Sequence, residues 1–293
     1  MPDPRVDVFL ASASQLPRTD EDDQPLRAAL AAAGLTAATR AWDDPTVDWA
    51  GARACVIRST WNYVRHHDAF LAWAARCAGL TALANPLPVV RWNSHKRYLV
   101  ELLQDALPVV PTRLVPRGQP ADLAALVAGW DAGEVVIKPA VSAGSFRTLR
   151  VARDDLARGQ AHLDLVLADQ DALVQPYQRS VADYGERALV WIDGALTHAV
   201  RKSPRFAGDP QRVSDAVAIA PDEARIAEEI LARVATRLST HVAPLLYARV
   251  DLARGEDGRP LLMELELIEP SLFLVRSPPA LDRLVAAIKR RLP

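Results

Sequence analysis

Two short stretches constrain this chain more than any other part of it: Arg249-Val250-Asp251 and, thirteen residues after that aspartate, Glu264-Leu265-Glu266. Each lies in alternating apolar sequence, LYARVDL and PLLMELELI, and Asp257-Gly258 stands between them, which predicts adjacent strands of one hairpin. Residues i and i+2 of a strand share a face, so Arg249 with Asp251, and Glu264 with Glu266, project as pairs that converge. Three carboxylates gathered in this way repel unless a cation sits among them. Oxygen ligands without His or Cys suit Mg²⁺ or Mn²⁺ shared with nucleotide phosphates. A solvent-facing acidic stripe is the plain alternative. It explains neither the flanking arginine nor the distribution of lysine.

Lysine is scarce, confined to Lys96, Lys138, Lys202 and Lys289. Basic residues number 35 against 36 acidic ones, so neither a nucleic-acid coat nor a polybasic membrane surface is expected, and any anion site must be local. A lysine is a compact charge on a flexible stem, suited to a phosphate approached from one direction. Lys138 ends the apolar run VVIKP, where it points either out of an edge strand or into a cleft. Just beyond it, Ser142-Ala143-Gly144-Ser145 offers backbone N–H groups to phosphate oxygens, and Gly144 removes a side-chain obstacle. The loop follows neither the Walker pattern nor the dinucleotide fingerprint.

Around these motifs the chain reads as α/β. Val6 to Ala11 predicts a strand, Pro25 to Ala33 a helix stopped by Gly34, Ala54 to Ser59 a second strand and Asp68 to Ala78 a helix ending at Gly79. Asn85-Pro86-Leu87-Pro88 breaks the pattern before a helix expected near Ser94. A small α+β lid follows: strand TRLV, helix Ala121 to Ala128, strand EVVIKP, strand TLRV, a helix and strand ALVQ. RALVWI and ALTHAVRK flank Asp193-Gly194 as a hairpin, and Asp222 to His241 has helical spacing. The expected divisions are 1–92, 93–175 and 176–293, in keeping with about 150 residues or fewer per domain. Cys55 and Cys77 read as buried thiols in a reducing compartment, His66-His67 as surface or helix-cap residues. No apolar run approaches the roughly 18 residues that span a bilayer, and the chain is expected to be cytoplasmic.

At Lys138, SAGS and the acidic hairpin, the sequence resembles the ATP-grasp superfamily of carboxylate-amine ligases, over about 93–271. The resemblance implies three subdomains with ATP held between the lid and the C-terminal subdomain. It makes Lys96 and Lys138 the two ATP lysines, Ser142, Gly144 and Ser145 the loop over the phosphates, Gln175 and Tyr177 the hinge at adenine, and Glu186 the ribose-binding acid. Asp251, Glu264 and Glu266 would hold Mg²⁺, although Glu266 stands where the family commonly has Asn and can serve the substrate instead. Arg249 would steady the transferring phosphoryl group, and Arg187 and Arg201 would face phosphate or substrate. Implied too is the mechanism, in which a substrate carboxylate takes the γ-phosphoryl group and an amine then displaces phosphate. Family members are often dimers; no feature of this sequence sets an interface.

For the substrate, RSTWNY follows a buried strand, where ligand crevices of open α/β sheets lie. Arg58 is expected to grip a carboxylate, with Ser59 and Asn62 orienting its neighbours; a capped loop around a buried Trp61 is the alternative. Lys202 and Ser271 are further substrate candidates, Ser271 because Glu269-Pro270-Ser271 follows the hairpin at the position where related ligases bind substrate. RSTWNY, NSHKRYL and ELELIEPSLF resemble a compact bacterial branch that includes the cyclo-ligase of D-cycloserine biosynthesis. That implies a small amino acid derivative, joined to an amine of the same molecule or of another. An ATP-grasp phosphotransferase and a non-catalytic nucleotide-binding module are the rival readings.

Overall fold

A computed structural model describes residues 6–203, 212–238 and 245–293. The described residues form three four-stranded sheets. The first is parallel, in the order β2 (Ala37–Ala41), β1 (Val6–Ser12), β3 (Ala52–Ser59), β4 (Ala82–Ala84), with α1 (Asp23–Ala32) and α2 (His67–Leu80) beside it. Parallel strands need crossovers, and the helices supply them. Gly34 ends the first helical stretch at φ +80°, a conformation that favours glycine. Gly79, expected to stop α2, is instead helical, and the helix ends where Thr81 turns extended. The short strand β2 was not anticipated, since AATRA carries no strong apolar alternation.

Another departure lies at Pro86-Leu87-Pro88. Rather than only breaking the pattern it opens α3 (Leu87–Asn93), because a first-turn proline lacks an N–H that would have no helical partner there. A second short helix, α4 (Tyr98–Gln104), follows.

The lid sheet is antiparallel, in the order β5 (Arg113–Val115), β8 (Ala172–Pro176), β6 (Glu134–Pro139), β7 (Leu149–Ala152). Helices α5 (Leu123–Val127) and α6 (Leu156–Asp169) close its core over Val135, Ile137, Val151 and Val174. After α7 (Ser180–Asp183) the third sheet runs β10 (Ala195–Lys202), β9 (Glu186–Ile192), β11 (Tyr247–Arg254), β12 (Pro260–Glu266), antiparallel throughout. Asp193 and Gly194 both have positive φ, 45° and 89°, as a two-residue hairpin turn of this hand requires. Two further helices are α8 (Pro221–Leu238) and α9 (Pro278–Arg291). Residues 239–241 of the predicted helix lie outside the described residues.

Strand alternation divides the third sheet into two faces. Leu189, Val250 and Leu265 pack under Ile226 and Ile230 of α8. On the opposite face Val190 and Val200 share a core with Val8, Leu30 and Leu284, so the first and third sheets are joined by one apolar layer. Buried polar side chains fix that joint. Tyr247 donates its hydroxyl to Ile57 O at 2.6 Å and accompanies Ile268 O at 2.8 Å, while Asn85 and Asn93 bond backbone groups of the segments around Leu246, Leu265 and Leu267. Asn93 thus caps the end of the β12 edge at Leu265 and Leu267, while the Pro108 carbonyl and the Val110 N–H bond Leu262 further along it.

Candidate active site

Beyond the end of the shared core, the same face of the third sheet becomes charged. Arg249 pairs across the ladder with Glu266, Asp251 with Glu264, and Lys202 with Glu186. Their side chains form one network. The Arg249 guanidinium clamps Asp251 through Nε and Nη2, both at 2.8 Å, and also meets Glu266 and the Ser271 carbonyl. Lys202 Nζ reaches Asp251 Oδ2 at 2.7 Å and Glu186 Oε1 at 2.5 Å. Lys96 bonds the Ser142 carbonyl and lies 3.0 Å from Glu264 Oε1.

Charge and burial then set protonation. Burial alone would raise the Asp251 carboxyl, but Arg249 and Lys202 hold it well below the ordinary carboxylate range. Glu264 is likewise held down by Lys96 and Lys138 against burial. Glu186 goes the other way, pushed up to about 7 by burial in spite of Lys202, and Glu266 is raised by burial with Asp251 adding to it. Lys138 stands apart. It is nine-tenths buried at the end of β6 and has no hydrogen-bond or ion-pair partner among the described residues; burial draws its pKa down.

Two connected cavities open over this network. The smaller, about 130 Å³, lies between lid and third sheet and is lined by Lys96, Lys138, Ser142, Gln175, Tyr177 and Glu186. The larger, about 770 Å³, reaches toward the first sheet and takes in Lys202, Arg249, Glu266, Glu269 and Ser271. Gly144, Ser145, Glu186 and Glu264 line both, so the SAGS loop stands at their junction. Gly144 and Ser145 have φ of 59° and 63°, which only a tight loop of small residues tolerates readily. Every expected nucleotide-side residue is thus brought to one cleft.

The substrate candidates divide. Asn62, Lys202 and Ser271 line the larger cavity. Arg58 does not: it is fully buried beneath that cavity, bonded to Pro270 O at 3.1 Å and 3.6 Å from Asp22, and Ser59 bonds Ser12. Arg187 and Arg201 also fall outside the cleft. They alternate with Glu186 and Lys202 along β9 and β10 and so point to the other face, where Arg187 meets Glu223 and the Ala218 carbonyl and Arg201 is exposed.

Glu269, in the segment expected to meet substrate, lines the larger cavity with Ser271, whereas sequence reasoning missed Ser14, Arg18 and Asp43, which line it too. Arg18 stacks 4.2 Å from the Trp61 ring centroid and donates to Ser271 Oγ at 2.8 Å. Ser14, Arg18 and Asp43 lie in the loops after β1 and β2, at the carboxyl ends of parallel strands, and the same rule that singled out RSTWNY would have found them.

The donor set can be weighed against a magnesium ion. Glu264 and Glu266 project to one side of the cleft, are about a quarter exposed and offer only oxygen, which suits a cation held by one or two carboxylates plus phosphate oxygens. Among the described residues no three acids, histidines or cysteines converge as a ready-made metal site. Asp251, expected as a third ligand, is fully buried and binds Arg249 through both oxygens and Lys202 through Oδ2, so it is tied into the ion-pair network beneath the cleft.

Known proteins share both sequence and fold. Residues 8–85 match the family described as D-cycloserine synthetase DcsG, N-terminal domain. The Cycloserine biosynthesis protein DcsG of Streptomyces lavendulae is 36% identical over 298 residues, covering 97% of this chain and 98% of that one. The crystal structure of D-cycloserine synthetase DcsG is similar with a TM-score of 0.89 at 34% identity, covering 98% and 99% of the two chains. A RimK domain ATP-grasp protein from Sphaerobacter thermophilus shares the fold at a TM-score of 0.66 and 20% identity, covering 98% and 99%. With identity of this order along nearly its full length, the chain belongs to the DcsG family and is an ATP-dependent ligase of the ATP-grasp fold.

Proposed function

We propose that the enzyme activates the carboxylate of a small amino acid derivative as an acyl phosphate and closes it onto an amine of the same molecule, giving a cyclic product of the D-cycloserine kind. The observation that carries the nucleotide half is Lys138: a buried ammonium without a protein partner, facing a cavity, calls for an anion. Lys96, Lys138 and the loop 142–145 are positioned for phosphates, Gln175 and Tyr177 for the base and Glu186 for the sugar. Glu264 and Glu266 would hold magnesium, with Asp251 as the third acid beneath them; the ion would offset charge on the phosphate oxygens.

Arg249 lines the larger, substrate-side cavity, held by Asp251 and Glu266, and would supply a fixed positive charge to the carboxylate oxygen as it meets phosphorus. That oxygen forms the new bond to phosphorus as the bond to ADP breaks. The amine nitrogen then attacks the acyl carbon, phosphate leaves, and the nitrogen loses a proton. No protein nucleophile is needed. Ring closure is supported by the match to DcsG over both chains, and it requires only one substrate besides ATP.

The test is ADP and phosphate release with Mg²⁺-ATP against a panel of amino acid derivatives, each reaction followed by mass spectrometry. A product one water lighter than a single substrate is expected. Dependence on two substrates would establish coupling instead, and a stable phosphorylated product would make the enzyme a phosphotransferase.

A further inference from the structure

The carboxylates on the sheet floor of the large cavity are already matched by cations: Glu264 by Lys96, Glu186 and Asp251 by Lys202, Glu266 by Arg249. Asp43, on the wall formed by the first sheet, has no ion-pair partner among the described residues. Its hydrogen bonds come from neutral donors: the Ser14 N–H to Oδ1 at 2.8 Å, and the Ser14 hydroxyl and Asn62 amide to Oδ2 at 2.6 and 2.7 Å. Asn62 is itself fixed by the Trp42 indole N–H at 2.6 Å, and Trp42 is buried against Phe70 and Trp73. Burial would raise the Asp43 carboxyl, but the bonds from Ser14 and Asn62 outweigh it and leave the group below its ordinary value. A rigid, ionised carboxylate therefore faces the substrate space with acceptor capacity to spare.

We propose that Asp43 is the counter-ion of a primary ammonium group on the substrate, one that is recognised and retained rather than joined. This rests on the ligase reading above. Pairing with a carboxylate favours the protonated form of an amine, whereas the nitrogen that attacks an acyl phosphate must be neutral. The group at Asp43 is consequently not the nucleophile. The substrate carries two nitrogens, an ammonium held at Asp43 and a second nitrogen that reaches the activated carboxyl, and the product keeps the first as a free amine. Ser14 and Asn62 act as positioning residues, because they aim the carboxylate without themselves supplying charge.

The probes are D-cycloserine, which has a free ring amino group, and isoxazolidin-3-one, the same ring without it, titrated calorimetrically into full-length enzyme with MgADP present. Unaltered enzyme should bind the aminated ring at least tenfold more tightly. Asp43→Asn should lose that preference while binding the deamino ring within about twofold of the parent, and Asp43→Glu should restore part of it; unchanged MgADP affinity shows that the variants are folded. Equal binding of both rings by unaltered enzyme, or a preference that survives in Asp43→Asn, overturns the subsite and leaves the ligase reading standing. Binding of MgADP but of neither ring overturns both the ring-closing reading and the subsite.

Discussion

Lys202 and Asp251 are joined by a 2.7 Å bond that spans a strand: the ammonium on β10 reaches over β9 to Oδ2 of the aspartate on β11. Both side chains are more than nine-tenths buried, and the aspartate also anchors Arg249. Removing one member of such a network leaves charge without compensation, which costs about 3–5 kcal/mol. Asp251→Asn should therefore both destabilise the fold by about that amount and abolish turnover, as seen in denaturant unfolding and ADP release. A variant as stable as the parent would show that the network does not hold the sheet face together.

Lys138 predicts the opposite sign for stability. Its ammonium is buried without a hydrogen-bond or ion-pair partner among the described residues, a cost that the nearby charge of Glu264 offsets only in part and a bound anion would offset further. Lys138→Met should leave the nucleotide-free protein as stable as the parent or more so, while turnover falls about 10²-fold and the KM for ATP rises. A melting curve with and without MgADP separates the two effects: the parent should gain more from nucleotide than the variant does.

The strands were legible wherever alternation or a turn dictated them. Asp193-Gly194 fixed one hairpin, and the spacing of Asp251 and Glu264 foretold a cross-strand pair that the register contains. Alternation was also the rule applied incompletely, because Glu186 with Arg187, and Arg201 with Lys202, cannot both face one side of a sheet. Which of each pair enters the cleft depends on where the apolar residues of β9 meet α8, a tertiary fact. Arg58 shows the other limit: a strand-end arginine reads the same whether it meets a ligand or, as here, the Pro270 carbonyl beneath the cavity.

That division of faces is itself testable. Arg187 meets Glu223, which is fully buried on α8 and is also approached by Tyr184 and Arg254. Arg187→Ala should destabilise the fold by about 1.5–3 kcal/mol through its lost bonds to Glu223 and the Ala218 carbonyl, Tyr184 and Arg254 keeping that carboxylate partnered, yet folded enzyme should keep kcat and KM within about threefold of the parent. Arg201→Ala, at an exposed position, should alter neither by more than about 0.5 kcal/mol or twofold. A hundredfold loss of kcat in Arg201→Ala would instead restore it to the catalytic set.

Glu269 sets a dependence on pH that the ion pairs do not. Burial, with Glu266 adding repulsion, pushes its carboxyl up to about 8, against an ordinary value of 4.5. Between those values the folded protein holds a proton that the unfolded chain releases, so the stability this group contributes is whole below pH 4.5 and is lost as pH rises through about 8. Glu186, raised to about 7, pulls in the same direction, whereas Asp251 is held far below this window and is ionised in both states throughout it. Metal-free parent protein should accordingly lose stability from pH 6 to 9, and Glu269→Gln, which cannot ionise, should flatten the curve by up to about 1.4 kcal/mol per pH unit. Unfolding free energies of both proteins across that range decide it: parallel curves would mean that Glu269 is ionised in the native state, and that the wall it shares with Ser271 carries one more negative charge at neutral pH.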